Sequence, residues 1–168
     1  MPTARNLTQE PSLQQTLAAA IRANTDPTIV AAVAARNDDA IRDWYNIQTA
    51  TDVWRPDIDG EKMFDITPLS IYDGISAGKR AAWDLMIQQS RIAPLDFGRP
   101  ALRAAVRDIW PTQYGDAILT ACRRKATRAE LLFGGSVEAS GAISATDLAV
   151  EITLTSYDVS VSLNNFPA

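Results

Sequence analysis

The spacing of apolar residues changes once along this chain, at Gly134-Gly135, and that change limits the folds open to it. Before the glycines, apolar residues recur every three or four positions, the spacing of one helix face; after them they alternate, the spacing of a strand. Ser12 can cap a helix whose Leu13, Leu17 and Ile21 share a stripe ending near Asn24. Asp26-Pro27 opens a second helix reaching about Arg36, because aspartate accepts from free N–H groups and proline loses nothing at the first helical position. Asn37, with Asp38 and Asp39 in the next turn, starts a third helix on which Ile41, Trp44 and Tyr45 share a face. Residues 48–65 mix acids with Pro56 and Gly60, which predicts an extended linker holding one short strand and anchored by Trp54. A short helix around Thr67 to Tyr72 follows, and Ser76 then opens a helix with Ala82, Trp83, Met86 and Ile87 inward. Beyond Pro94, Leu102, Val106 and Ile109 or Trp110 point inward, while Arg99, Arg103 and Arg107, spaced by four, form an exposed row. Ile118, Ala121 and Cys122, then Ala129 and Leu132, make the last stripe.

Past the glycines, Val150, Ile152 and Leu154 alternate with polar residues, and Val159, Val161 and Leu163 do so again. Two such runs around Ser156-Tyr157-Asp158 predict a β-hairpin or a bent β-arm. A lone hairpin is marginal in water, so its apolar side is covered by the helical body or by another chain, and the second is the preferred expectation. Residues 1–11 are polar, contain Pro2 and Pro11, and lack periodicity, the pattern of a flexible arm or of a segment ordered only on contact with a neighbour. The expected architecture is mainly α: an extended N-terminal arm over 1–11, a helical bundle domain over 12–135 and a C-terminal β-type arm over 136–168. A chain cut after Gly135 is then expected to fold and to fail in assembly.

The chain has no histidine, which removes the common general base, the common transition-metal ligand and the Ser-His-Asp arrangement together. Its one cysteine excludes an intramolecular disulfide and a thiolate cluster. Cys122 lies beside Arg123, Arg124 and Lys125, which could activate a thiol, but it shares a face with Ile118, so a buried, inert thiol is expected. Asp57-Ile58-Asp59-Gly60-Glu61 lacks the full calcium-loop pattern and reads as a solvated acidic loop, and the glycines form no phosphate-cradling loop. No catalytic residue, metal site or cofactor is expected, and the chain is read as not an enzyme. A small enzyme using Cys122 or a carboxylate pair is the rival class.

The net charge of −4 disfavours general affinity for nucleic acid or anionic lipid. Charge is unevenly spread, running −5 over residues 1–75, +5 over 76–133 and −4 over 134–168, as solvated helix faces or as complementary surfaces for subunit contacts. Arg123, Arg124, Lys125 and Arg128 could face passing DNA, or could equally suit a helix end and an acidic neighbour. The longest apolar run, Ile29 to Ala35, is too short to span a bilayer, and neither a secretion signal nor membrane contact is expected.

The segments VWR at Val53 to Arg55, ISAGKRAAWDLM at Ile75 to Met86, RPALRAAVRDIW at Arg99 to Trp110 and CRRKATRAELLF at Cys122 to Phe133 occur in this order. Together they resemble a group of tailed-bacteriophage proteins encoded among the virion structural genes. These proteins are similar in their glycine-lysine-aromatic helix, their arginine-bearing helix ending in tryptophan, and a K-A-T-R-A-E-x-L-F segment before a short glycine-rich strand region. The resemblance covers residues 25–148 and implies a virion or assembly protein, made in the host bacterial cytoplasm; the place in the particle, expected in the neck or tail region, follows from the plan of the chain and not from the resemblance. A helical body with two reaching arms suits a head-to-tail connector or adaptor: a cyclic homo-oligomer between the portal and the tail or nozzle proteins. Arg99, Arg103 and Arg107 would then make subunit contacts, and Val150, Ile152, Leu154, Val159, Val161 and Leu163 would add strands to a neighbour. Tail-completion, tail-tip or capsid-associated placement is the alternative within that class, and a small DNA-binding or regulatory phage protein the alternative outside it.

Overall fold

The computed structural model describes residues 7–148 and 151–167. In chain order, a 3-10 turn (Leu7–Gln9) is followed by α1 (Pro11–Ala23), α2 (Pro27–Ala34), α3 (Asp38–Tyr45), β1 (Gln48–Trp54), α4 (Gly60–Asp65), α5 (Leu69–Tyr72) and α6 (Ala77–Ile92). Then come α7 (Pro100–Ile109), α8 (Thr112–Ala121), β2 (Arg123–Thr127), α9 (Arg128–Leu132), β3 (Gly135–Ser140), β4 (Ile143–Leu148) and α10 (Ser156–Asn165). Among the described residues, ten α-helices and the 3-10 turn, 58% of those residues, combine with a four-stranded mixed sheet, 16%, so the fold is α/β; the expectation of a mainly helical bundle ending in a β-hairpin is overturned. The strands lie in the order β2-β1-β4-β3, with β1 and β4 parallel and Val53 opposite Thr146.

The expected C-terminal hairpin fails at Thr155. Its hydroxyl accepts from the Asp158 N–H and the Asp158 carboxylate accepts from the Thr155 N–H, a reciprocal capping box that starts α10. Val159 and Leu163, four apart, fit one helix face as well as alternate strand positions, so the short alternating run carried two readings and the cap decides between them. Ile152 and Leu154 are extended and buried, but Leu154 pairs with a side chain: its N–H donates to Asn46 Oδ1 and its carbonyl accepts from Asn46 Nδ2, at 3.0 and 2.9 Å. The actual hairpin is β3–β4, closed at Gly141, whose φ of 64° suits glycine. Val150 lies outside the described residues.

The chain forms two compact units, each built from separated segments. The first, here the tryptophan unit, comprises Thr51–Arg124 and Val137–Asp147. Its core packs Trp54, Ile58, Met63, Trp83, Phe97, Val106, Trp110 and Ile118. Trp83 meets Trp110 edge-on with centroids 5.3 Å apart, and its indole N–H donates to Thr67 Oγ1 at 2.9 Å. Trp54 is the anchor that the sequence suggests, and Ser76 caps α6 as expected. The loop at 57–61 is acidic but structurally used: Asp57 pairs with Arg55, and Asp59 accepts from the Lys62 N–H at the start of α4.

The second, terminal unit comprises residues 7–50, 125–136, 148 and 151–167. Asp26 and Asn37 cap α2 and α3 as their sequence positions predict, whereas Ser12 lies inside α1, which starts at Pro11 after Glu10 with no side-chain cap. The core packs Leu7, Leu17, Ile21, Ile29, Ile41, Tyr45, Ala129, Leu154 and Val159. Order therefore reaches back into the expected N-terminal arm: Leu7 is 1% exposed and its carbonyl accepts from the buried Gln14 amide. The tail likewise is no free arm, since α10 packs on α1 and α3. The picture of a single helical domain over 12–135 with detachable ends gives way to two units that both draw on residues after Gly135.

Candidate subunit-contact site

The arginine row of α7 is not exposed as a row. A spacing of four rotates each arginine by roughly 40° about the helix, and the three lie in different environments. Arg99, the N-cap residue, has a side chain 63% exposed and pairs with Asp96 at 3.6 Å. Arg103 stands three residues before Val106 and is only 2% exposed, on the buried side of α7. Arg107 is intermediate.

Burial of Arg103 is tolerated because its donors meet acceptors. Nη1 donates to the carbonyls of Phe97 and Gly98 at 2.6 and 2.7 Å and lies 3.4 Å from Asp147 Oδ1. Nη2 pairs with Glu138 on β3, and the guanidinium lies 4.8 Å from the Trp54 ring centroid. Arg107 pairs with Asp116 on α8 and donates to the Ser140 carbonyl. Gly141 is favoured by its φ, and a Cβ there would also push the tip of the Arg107 side chain aside. Two arginines of α7 thus clamp the β3–β4 hairpin from one side. Burial raises the Asp147 carboxyl above its ordinary range, against the pull of Arg103.

What the clamp presents is an edge. Among the described residues β3 has no strand on its outer side, and it carries Val137, 74% exposed. An open edge offers unpaired backbone groups to another chain. Elsewhere in the same unit Phe64, Leu69, Leu85 and Ile92 are exposed apolar side chains. Phe64 and Leu69 line a shallow groove with Tyr72 and Ile87, and Leu85 and Ile92, seven apart on α6, lie along one helix stripe.

The residues expected to add strands to a neighbour are placed otherwise. Ile152, Leu154 and Val159 are buried in the core of the terminal unit, while Val161 and Leu163 are half-buried on α10. The apolar side chains of Ile152, Leu154 and Val159 are covered by the chain itself. The basic group does not end a helix, because Arg123, Arg124 and Lys125 lie on β2 and Arg128 begins α9. Arg123 pairs with Asp52 at 2.9 Å and donates to the Ser144 carbonyl. Lys125 donates to the Ala50 carbonyl, and Arg128 stacks on Trp44 at 3.9 Å. Cys122 is buried as its spacing predicts, and burial pushes its thiol up to about 12.

Sequence reasoning missed the β3 edge. Its signals were the short glycine-rich strand region that the resemblance implies after Phe133, and Gly135 and Gly141 bracketing a run of mostly small residues. No helix among the described residues is long and apolar enough to cross a membrane. Compared with protein-family models, with curated proteins and with solved structures, the chain has no match.

Proposed function

We propose that the chain is a tailed-bacteriophage virion protein: a head-to-tail connector or adaptor that forms a cyclic homo-oligomer between the portal and the tail proteins. The observation that carries this reading is the clamped, open edge of β3 in the tryptophan unit, with exposed Val137. A strand fixed from one side by Arg103 and Arg107 needs little further ordering before it pairs with a neighbour, which favours association. The exposed Phe64, Leu69, Leu85 and Ile92 supply a second, different surface, as a closed ring requires, since each subunit meets its left and right neighbours through unlike faces.

The resemblance supports the same reading in a specific way. Its motifs supply Trp54, Trp83, Arg103 and Trp110 to the tryptophan unit, and the Thr127–Glu130 capping box to α9. These residues build scaffold, so the function is left to surfaces. Val137→Lys tests the edge, because a lysine at an exposed position leaves the fold intact and opposes edge pairing. Co-sedimentation with purified portal should fall at least about tenfold in the variant while its Tm stays within about 2 °C of the parent. Unchanged co-sedimentation of the lysine variant would remove β3 from the interface, and no co-sedimentation of the parent would remove the connector reading.

A further inference from the structure

The terminal unit holds a groove that the connector reading does not use, between the end of α2, the start of α3, α1 and α10. Its apolar surface comes from Val33 and Leu163, with the buried Ile41 beneath them. Arg22 and Arg36 stand over it as cations, against one carboxylate, Asp38. Ser160 and Asn164 of α10 also line it.

Arg36 is held there by an unusual backbone. Asn37 N–H donates to the Ala32 carbonyl at 2.9 Å and Arg36 N–H to the Val33 carbonyl at 3.1 Å, the paired bonds that close a helix through a left-handed residue. That residue is almost always glycine, whereas here it is arginine with φ of 51°. A guanidinium is thus kept at the groove mouth in a conformation that glycine would adopt more easily. The Arg36 side chain is exposed and has no ion-pair partner among the described residues. Arg22 is tethered by one bond, from Nη2 to the Leu163 carbonyl at 3.0 Å, which leaves further N–H groups of its fork open.

We propose that this groove binds an acidic, apolar-flanked segment of a partner protein. A carboxylate of the segment pairs with Arg36 and Arg22, and an apolar neighbour covers Val33 and Leu163. The apolar surface favours a peptide over a bare inorganic anion, and Asp38 disfavours a dianion such as phosphate more than a single carboxylate. The groove lies wholly within one unit and acts whether or not the chain forms a ring.

The test titrates the full chain with the peptide acetyl-Leu-Glu-Leu-amide and follows arginine Nε–H and methyl resonances. Arg22, Arg36, Val33 and Leu163 should shift together, and the Gln counterpart should bind at least about tenfold more weakly, as expected for loss of a charge-assisted contact. Arg36→Gly should weaken the Glu peptide similarly while raising Tm by about 2 °C, because it relieves the left-handed backbone. That pairing of lost binding with gained stability separates a binding role from a structural one. The proposal is overturned by absent shifts, by equal binding of the Gln peptide or of inorganic phosphate, or by full affinity in Arg36→Gly. Groove resonances that change on dilution without peptide would make the occupant a second copy and overturn the assignment to a separate partner.

Discussion

Replacing Arg103 with methionine should destabilise the tryptophan unit by about 3 kcal/mol. Methionine fills similar space and keeps apolar contact with Trp54, so the change isolates the lost charge and donors. Two carbonyls, of Phe97 and Gly98, lose a donor, and Glu138 and Asp147 lose their cation. Breaking a buried pair costs about 3–5 kcal/mol when the orphaned partner stays dry. Here the Glu138 and Asp147 side chains are 38% and 21% exposed and can recover water, which places the loss at the lower end. For a chain of this length that corresponds to a fall in Tm of about 6–12 °C. Thermal unfolding followed by tryptophan emission reads it, since Trp54, Trp83 and Trp110 are in this unit's core. Arg103→Lys keeps the charge without the planar fork and should lose about half as much. Adding Glu138→Gln to the methionine variant should return about 1 kcal/mol by removing one unpaired carboxylate. A methionine variant within about 1 kcal/mol of the parent would refute the clamp.

Gly141→Ala should destabilise by about 1–2 kcal/mol, since it puts a side chain at a left-handed φ and displaces the Arg107 guanidinium from the Ser140 carbonyl, and urea titration measures it. Asp158→Ala removes half of the α10 capping box and should cost about 1 kcal/mol, read by the urea midpoint. Cutting the chain after Gly135 should leave protein without cooperative unfolding, because it removes β4 with Ala145 from one core and Leu154 and Val159 from the other; a sharp thermal transition in that fragment would contradict the division into units. The folded-state carboxyl of Asp147 is raised, so the folded chain holds that proton more tightly than the unfolded chain and its contribution to stability falls as pH rises through the folded value. Asp147→Asn should therefore flatten the pH dependence of Tm in the acid range, and an unchanged profile would count against the assignment. Cys122 should resist a thiol reagent at pH 8 until denaturant is added, given a thiol pushed up to about 12.

Local signals written in single residues were readable, and those written in pairing were not. Asp26, Asn37 and Ser76 announced their helices because a cap is chemistry within three residues. Trp54 and Cys122 showed their burial through their apolar surroundings. Strand β2 reads as polar because RRKAT has no alternation, and its place is set by β1 beside it. Arg103 looked solvated because a charge spaced by four along a helix usually is. Its burial depends on Glu138 and Asp147, which are 35 and 44 residues away. The C-terminal segment was misread because a five-residue alternation cannot distinguish strand from helix, and the Thr155-Asp158 cap that decides it uses aspartate where glutamate is more usual.

The connector reading is tested most directly by the mass of the purified full-length chain in solution, alone and mixed with portal, by light scattering at two salt concentrations. A closed ring, or a complex that forms only with portal, is the expected result. A monomer at both salt concentrations that leaves the mass of portal unchanged would contradict it.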